Sequence, residues 1–173
     1  MIFIISIGQI KILDHLKKEL KDRFNSRVEI EGSMEKPDYA FNPARKQHLA
    51  PAILEKISKI KLDGIKLGVA DVDLYDRGLN FVFGEASPLT RTALISLTRL
   101  RPEYYGLAEN EALFKERAAK EAVHELGHVF GLPHCSDPEC VMHFSNSLWD
   151  TDKKNSFFCS LCKKKLKKLR FGR

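Results

Sequence analysis

The chain of 173 residues lacks any long apolar run and has no cysteine before position 135. No apolar stretch approaches the roughly 20 residues that a transmembrane helix needs, so a membrane-spanning protein is excluded. The chain is 43% hydrophobic and 30% charged, which excludes a disordered polymer. A chain of this length buries roughly 70% of its unfolded surface, so its core needs no disulfide bridges.

Acidic residues are absent from the last eleven positions, 163–173. The formal net charge of the chain is +6, but the other positions hold 22 basic and 23 acidic residues. The high pI therefore belongs to a basic C-terminal tail and does not by itself indicate a nucleic-acid-binding protein. We expect this tail to be a solvated helix end; its basic residues are Lys163, Lys164, Lys165, Lys167, Lys168, Arg170 and Arg173.

A secretory signal is also lacking at the apolar N-terminus. The segment Met1–Gly8 has no basic region before it and no small-residue cleavage site after it. Its β-branched residues instead predict a buried parallel strand over Ile2–Ile7. We therefore expect a cytoplasmic protein.

Hydrophobic periodicity predicts alternating strands and helices. Apolar residues recur at helical spacing from Ile10 to Phe24 and again from Leu49 to Ile60. The short segment Tyr75–Gly78 predicts a hairpin that makes the two strands on either side of it antiparallel. No repeat or linker is apparent, so residues 1–173 are predicted to form one α/β domain. The four further strand candidates are Arg27–Glu31, Ile65–Leu74, Leu79–Glu85 and Thr92–Leu100.

The longest helical pattern, about Glu109 to Phe130 with Asn110 as a cap candidate, contains His124-Glu125-Leu-Gly-His128. Residues four apart lie about 40° apart around a helix and about 6 Å along it, so both imidazoles face one ion. The Glu125 carboxylate projects beside them and is placed to take a proton from metal-bound water.

Gly131 is where this helix stops if a third ligand is to reach the same metal, because glycine adopts positive φ without strain. Pro133 prevents the helix from resuming, and His134 then completes three nitrogen ligands. Three protein ligands leave one position on a tetrahedral zinc for water, whose pKa zinc lowers. The alternative is two core histidines and an accidental third. Gly127 inside the helix indicates either close packing behind it or simple tolerance.

The four cysteines form two closely spaced pairs, which resemble a structural zinc site enclosed by thiolates. The alternative is a pair of disulfides. Cys135 directly follows His134, so in an extended segment these neighbours face two different metals. The second zinc would then fix the segment that supplies His134. The cysteines are Cys135, Cys140, Cys159 and Cys162.

The run from His124 to His134 resembles the elongated zinc motif of metzincin metalloproteases. Its continuation through Cys140-Val-Met142 and the later Cys159-x2-Cys162 is similar to the archaemetzincins, as are Leu79–Gly84 and Phe144–Ser147. The resemblance implies a twisted mixed sheet above a long zinc-binding helix, with one antiparallel edge strand at Leu79–Glu85. It also implies a C-terminal loop and helix that a zinc ion holds together. It also implies that Met142 lies under the metal-binding imidazoles; the alternative is an ordinary core methionine.

The leading hypothesis is a zinc-dependent metallopeptidase with two zinc ions, an aminopeptidase in the manner attributed to some archaemetzincins. Glu125 is its general base, His124, His128 and His134 bind the catalytic zinc, and residues 135–162 hold the structural zinc. The expected partner is a peptide or protein, which would pair with the edge strand of a monomer; neither a membrane nor a nucleic acid is expected. The alternative is a zinc-binding module with a vestigial histidine site that binds nucleic acid or another polyanion through its basic tail.

Overall fold

The computed structural model describes residues 1–171, so Arg173 of the basic tail lies outside the described residues. Its helices and strands follow one another from the N-terminus, with three short 3-10 turns between them at Asp38–Ala40, Thr98–Leu100 and Pro102–Tyr105. In chain order they are β1 Ile2–Ile7, α1 Leu13–Phe24, β2 Val28–Met34, β3 Phe41–Asn42, β4 Gln47–Leu49, α2 Ala50–Ser58, β5 Ile65–Ala70, β6 Leu74–Tyr75, β7 Gly84–Ser87, β8 Thr92–Ser96, α3 Glu111–Val129, α4 Leu148–Lys153 and α5 Ser160–Phe171.

A five-stranded mixed sheet in the order β2-β1-β5-β8-β7 forms the centre of the fold. The first four strands are parallel to their neighbours, and β7 is antiparallel to β8 at the edge. Side chains alternate between the faces: Ile4 of β1 packs with α1 and α3, whereas Ile5 packs with α2. The buried strand predicted at Ile2–Ile7 and the mixed sheet with one antiparallel edge strand are confirmed.

The location predicted for the edge strand was wrong. The strand is Gly84–Ser87 and not Leu79–Glu85, and it pairs with β8 through a turn over residues 88–91. Residues 79–83 make only one antiparallel bridge to the segment before them, between Val82 and Leu74. The physical reason is that β1 and β8 occupy both sides of β5, so no hydrogen-bonding edge is left for a hairpin partner.

Local signals define the ends of α3, the predicted zinc helix. The Asn110 side chain accepts a hydrogen bond from the Leu113 amide at 3.0 Å, as expected of a cap. At the other end Gly131 has φ +93°, and its amide donates to the His128 carbonyl. The Leu132 amide donates to the Gly127 carbonyl, which completes a Schellman motif. The chain therefore turns sharply just before Pro133 and His134.

The basic tail forms most of α5 and packs on the body of the protein. Cys162 and Leu166 of this helix are buried, while its five lysines are exposed, as the sequence predicts. Arg170 donates hydrogen bonds to the carbonyl of Phe24 and to the hydroxyl of Ser26. Across residues 1–171, none of the helices combines the length and the apolar character that crossing a membrane requires.

Candidate metal centre

The three predicted histidines converge on one point beside α3. His128 Nε2 lies 3.1 Å from His124 Nε2 and 3.2 Å from His134 Nε2. Two nitrogen ligands of a tetrahedral zinc, with bonds of about 2.05 Å, are separated by about 3.3 Å. The imidazole donor set therefore fits a zinc ion.

Backbone carbonyls orient two of these rings from behind. His124 Nδ1 donates to the Val141 carbonyl at 2.8 Å, and His128 Nδ1 donates to the Leu132 carbonyl at 2.8 Å. A proton on Nδ1 leaves the lone pair of Nε2 directed at the common point. Burial lowers the pKa of His124 to about 3 and also lowers the pKa values of His128 and His134. The rings are thus held in the neutral form that binds a metal.

The Glu125 side chain projects from α3 towards Gly84 of the edge strand β7. It is 7% exposed, and a Cβ atom added to Gly84 would lie 2.6 Å from its Cγ and 2.9 Å from its Oε1. The absence of a side chain at position 84 is therefore what makes room for this carboxylate. Burial, and then the nearby Glu121 carboxylate, raise the pKa of Glu125 well above its usual value.

Met142 packs directly against the zinc helix. A Cβ atom added to Gly127 would lie 2.3 Å from Met142 Sδ, so close packing and not tolerance explains the glycine between the two helical histidines. Met142 is fully buried in the same hydrophobic cluster as Leu126. Met142 is therefore a buried core residue that packs against α3, and its position under the metal-binding imidazoles stays a prediction.

The four cysteines lie together with free thiols. Their sulfur atoms lie within 4.8 Å of one another, and Cys135 Sγ is 3.8 Å from Cys159 Sγ. Zinc–sulfur bonds of about 2.3 Å place two tetrahedral ligands about 3.8 Å apart, whereas a disulfide requires about 2.05 Å. The Cys159 amide also donates to Cys140 Sγ at 3.3 Å. The cluster thus fits a zinc ion and not a pair of disulfides.

Backbone contacts join the two candidate metal sites. The Cys135 amide donates to the Met142 carbonyl at 2.9 Å, and His143 Nδ1 donates to the Cys135 carbonyl at 2.9 Å. The backbone bond belongs to a parallel bridge between Cys135 and His143, and the imidazole bond reinforces this bridge, so together they hold the segment that carries His134. In this segment His134 belongs to the histidine site and the next residue, Cys135, belongs to the cysteine cluster.

Comparisons with known proteins agree with this geometry. The family model for Peptidase family M54 matches residues 5–168. The archaemetzincin of Pyrococcus abyssi is 47% identical over 97% of this chain and 95% of its own length. That of Pyrococcus furiosus is 48% identical over 100% and 95%. The chain belongs to peptidase family M54, the archaemetzincins. It is accordingly a zinc metallopeptidase that acts on peptides or proteins.

Solved structures support the same assignment. The crystal structure of archaemetzincin from Methanopyrus kandleri matches with a TM-score of 0.86 and 36% identity, over 98% of this chain and 94% of that one. A zinc-dependent peptidase from Methanocorpusculum labreanum matches with a TM-score of 0.87 and 28% identity, over 96% and 100%. The comparisons give no support to the alternative of a binding module with a vestigial histidine site.

In this archaemetzincin chain a cleft of about 450 Å³ opens over the histidines. One wall is the segment before β7, and the other is the loop after Met142, where Phe144 packs on the His134 ring at a centroid distance of 4.9 Å. The side chains and backbone that line the cleft belong to Asp76, Leu79, Asn80, Phe81, Val82, Phe83, Gly84, Glu85, Glu121, His124, Glu125, His128, His134, Phe144, Ser145, Asn146 and Lys154.

Sequence reasoning missed three residues of this cleft that contact the predicted site. Glu121 could have been found, because it precedes His124 by three positions and Glu125 by four and so shares their helix face. Gly84 and Lys154 carry no local signal, because only the folded chain brings them to α3. His143 also contacts the segment that carries His134, because its Nδ1 donates a hydrogen bond to the Cys135 carbonyl.

Proposed function

We propose that His124, His128 and His134 hold a catalytic zinc ion and that Glu125 is the general base of peptide hydrolysis. We also propose that Cys135, Cys140, Cys159 and Cys162 hold a second, structural zinc, so that residues 135–162 stabilise one catalytic domain around Met142. The observation that carries this proposal is the convergence of three Nε2 atoms at zinc-ligand spacing beside a buried carboxylate.

A bound zinc ion supplies a water of lowered pKa and polarises the carbonyl of the scissile bond. The Glu125 carboxylate accepts a proton from the attacking water at one oxygen, and it then donates this proton to the nitrogen of the departing amine. The raised pKa of Glu125 supports this function, because burial makes its carboxylate a stronger base towards the attacking water. The neutral imidazoles remain ligands throughout.

The edge of β7 is proposed as the binding site of an extended peptide. In the described sheet β7 pairs with β8 on one side only, so its other side offers backbone donors and acceptors. An added strand would bind main chain to main chain across the cleft wall. Aminopeptidase cleavage is proposed on the resemblance to the archaemetzincins alone. It predicts faster turnover of peptides with a free α-amino group than of the same peptides acetylated.

The experiment that tests the catalytic proposal combines metal analysis with a peptide-library cleavage assay. Glu125→Gln keeps the shape of the side chain but cannot accept the proton, so we expect two zinc ions per chain and at least a 100-fold loss of turnover. Glu125→Ala should lose turnover equally. A clean preparation of either variant with parental turnover would contradict the proposal, as would a parent that binds fewer than two zinc ions under saturating metal.

A further inference from the structure

Lys154 is a buried cation beside the proposed zinc site. Its side chain is 1% exposed although it directly follows the exposed Lys153 at the end of α4, and it lines the cleft. A lysine is almost never fully buried unless it is paired. Its Nζ donates to the His143 carbonyl at 3.4 Å, and so ties the segment after Met142 to the zinc helix.

The partner of Lys154 is Glu121, one turn before the first histidine of the motif. Lys154 Nζ lies 3.2 Å from Glu121 Oε1, which also accepts a hydrogen bond from the Thr151 hydroxyl at 3.3 Å. Glu121 is 3% exposed. Burial by itself raises the pKa of Glu121, but the Lys154 ammonium and the other neighbours lower it overall. The two side chains therefore form a charged pair in the interior.

The position of this pair against His124 gives it an effect on the metal. Lys154 Nζ lies 3.5 Å from His124 Nδ1, but Nδ1 already donates to the Val141 carbonyl at 2.8 Å. The Lys154 ammonium consequently meets no lone pair on a ring that holds zinc through Nε2, and it acts on the ring as a positive charge. Such a charge opposes the binding of a cation, whereas the Glu121 carboxylate favours it.

We propose that Glu121 and Lys154 are positioning residues that set the zinc affinity of the histidine site through opposite charges. Lys154 holds the loop of His143 against α3, and Glu121 offsets the repulsion that this lysine would otherwise exert on the metal. The proposal rests on the proposed function, because it requires zinc at the histidines. It assigns neither residue a contact with substrate.

The two single variants should change the metal affinity in different directions, which distinguishes this proposal from a merely structural role of the pair. Glu121→Gln keeps an acceptor for Lys154 but removes the negative charge, so we expect metal to bind the histidines 10- to 100-fold more weakly. Lys154→Met removes the positive charge, so affinity should stay equal or rise. In the double variant Glu121→Gln with Lys154→Met both opposing charges are removed, so the metal affinity should return to within about threefold of that of the parent. A neutral buried pair is compatible with folding.

Asp152→Asn is the matched control. Asp152 also joins α4 to α3, through a bidentate pair with Arg117 in which both distances are 2.7 Å. The substitution removes the same charge from the same helix interface, but Arg117 lies seven positions before His124. We expect this variant to bind metal at the histidines within about threefold of the parent. If Lys154→Met does not fold, Lys154→Gln takes its place.

The measurement is a cobalt(II) titration of the metal-depleted full chain against a chelator. Thiolate and imidazole ligands give this ion different absorption spectra, so the two sites are followed separately. Equal losses in Glu121→Gln and Lys154→Met, an equal loss in Asp152→Asn, or unchanged affinity in every variant would overturn the proposal. A parent that binds no metal at the histidines would instead overturn the proposed function.

Discussion

Two glycines lie where one methyl group would collide with the candidate site. Gly127 faces Met142 from inside the zinc helix, and Gly84 faces Glu125 from the edge strand. Neither glycine has a positive φ, so it is the lack of space for a side chain that requires glycine at these two positions. Gly131 differs, because its backbone has φ +93°. At the scale of single residues the site therefore depends on absent side chains as well as on its ligands.

Gly127→Ala tests the packing of Met142. Alanine gains about 1 kcal/mol of helix propensity over glycine, but its Cβ would lie 2.3 Å from Met142 Sδ. Overpacking of this kind costs about 1–3 kcal/mol, so we expect a net fall in the free energy of unfolding of about 1 kcal/mol, measured in urea. Combining it with Met142→Ala should cost less than the sum of the two single changes. A more stable Gly127→Ala variant would contradict this packing.

Gly84→Ala tests the position of Glu125. The new Cβ would lie 2.6 Å from Glu125 Cγ and 2.7 Å from the Leu94 carbonyl oxygen, so the carboxylate must move. A displacement of about 1 Å costs on the order of 100-fold in rate, so we expect kcat to fall at least tenfold while zinc content is retained. Ala86→Gly alters the same strand face away from Glu125 and should change kcat less than threefold. Equal effects of the two variants would refute this account.

At the scale of elements, the segment between α3 and α4 belongs to both candidate metal sites. The bridge between Cys135 and His143 fixes the backbone of this segment. The side chains of Cys135 and Cys140, which belong to the same segment, are part of the cysteine cluster. The third histidine is therefore positioned by residues that lie outside the helix of the first two. This arrangement follows from the adjacency of His134 and Cys135.

The variant Cys159→Ser/Cys162→Ser tests this connection. Loss of the proposed structural zinc frees Cys135, so His134 is held less firmly and the histidines should bind metal at least tenfold more weakly. The measurement is the cobalt(II) titration, and Ser160→Ala, which changes an exposed residue of the same turn, is the control. Undiminished metal binding at the histidines in the double variant would show that the two sites are independent.

At the scale of the whole molecule, buried titratable groups make the stability of the metal-free protein depend on pH. Burial lowers the pKa of His124 from an ordinary 6.5 to about 3. A histidine with a lowered pKa in the folded state adds stability at neutral pH that is lost as the pH falls below about 6.5, because the unfolded chain then binds more protons. Burial raises the pKa of Glu85 to about 7, so this group has the opposite effect: its contribution to the stability of the folded state increases as the pH falls below about 7.

His124→Asn isolates the contribution of this group. In the presence of a chelator, the parent should lose up to about 1.4 kcal/mol per pH unit more than the variant between pH 6 and pH 4. Urea unfolding at several pH values measures the difference, and the effects of the other groups cancel in the comparison. Parallel pH profiles for the two proteins would mean that the imidazole is not held neutral by burial.

Local patterns were sufficient to predict several parts of the fold. The 3.6-residue period predicted α3 to within two residues at each end, together with its Asn110 cap and its end at Gly131. β-branched residues predicted β1, and the spacing of cysteines predicted which thiols come together. The helix and the strand depend on neighbours in the chain, so a pattern in the sequence describes them fully, whereas the cysteine cluster was predicted from the spacing of its two close pairs.

The sequence by itself determined which residues share one helix face, where that helix ends and that the four cysteines form one cluster. Only the tertiary structure decided that residues 84–87 and not 79–85 form the edge strand, because the choice depends on which strand of the sheet still has an open side. It also decided that Gly84 makes room for Glu125 and that Lys154 pairs with Glu121. Those contacts join residues that are more than 30 positions apart in the sequence, and the periodicity of a single helix or strand carries no information about contacts between such distant positions.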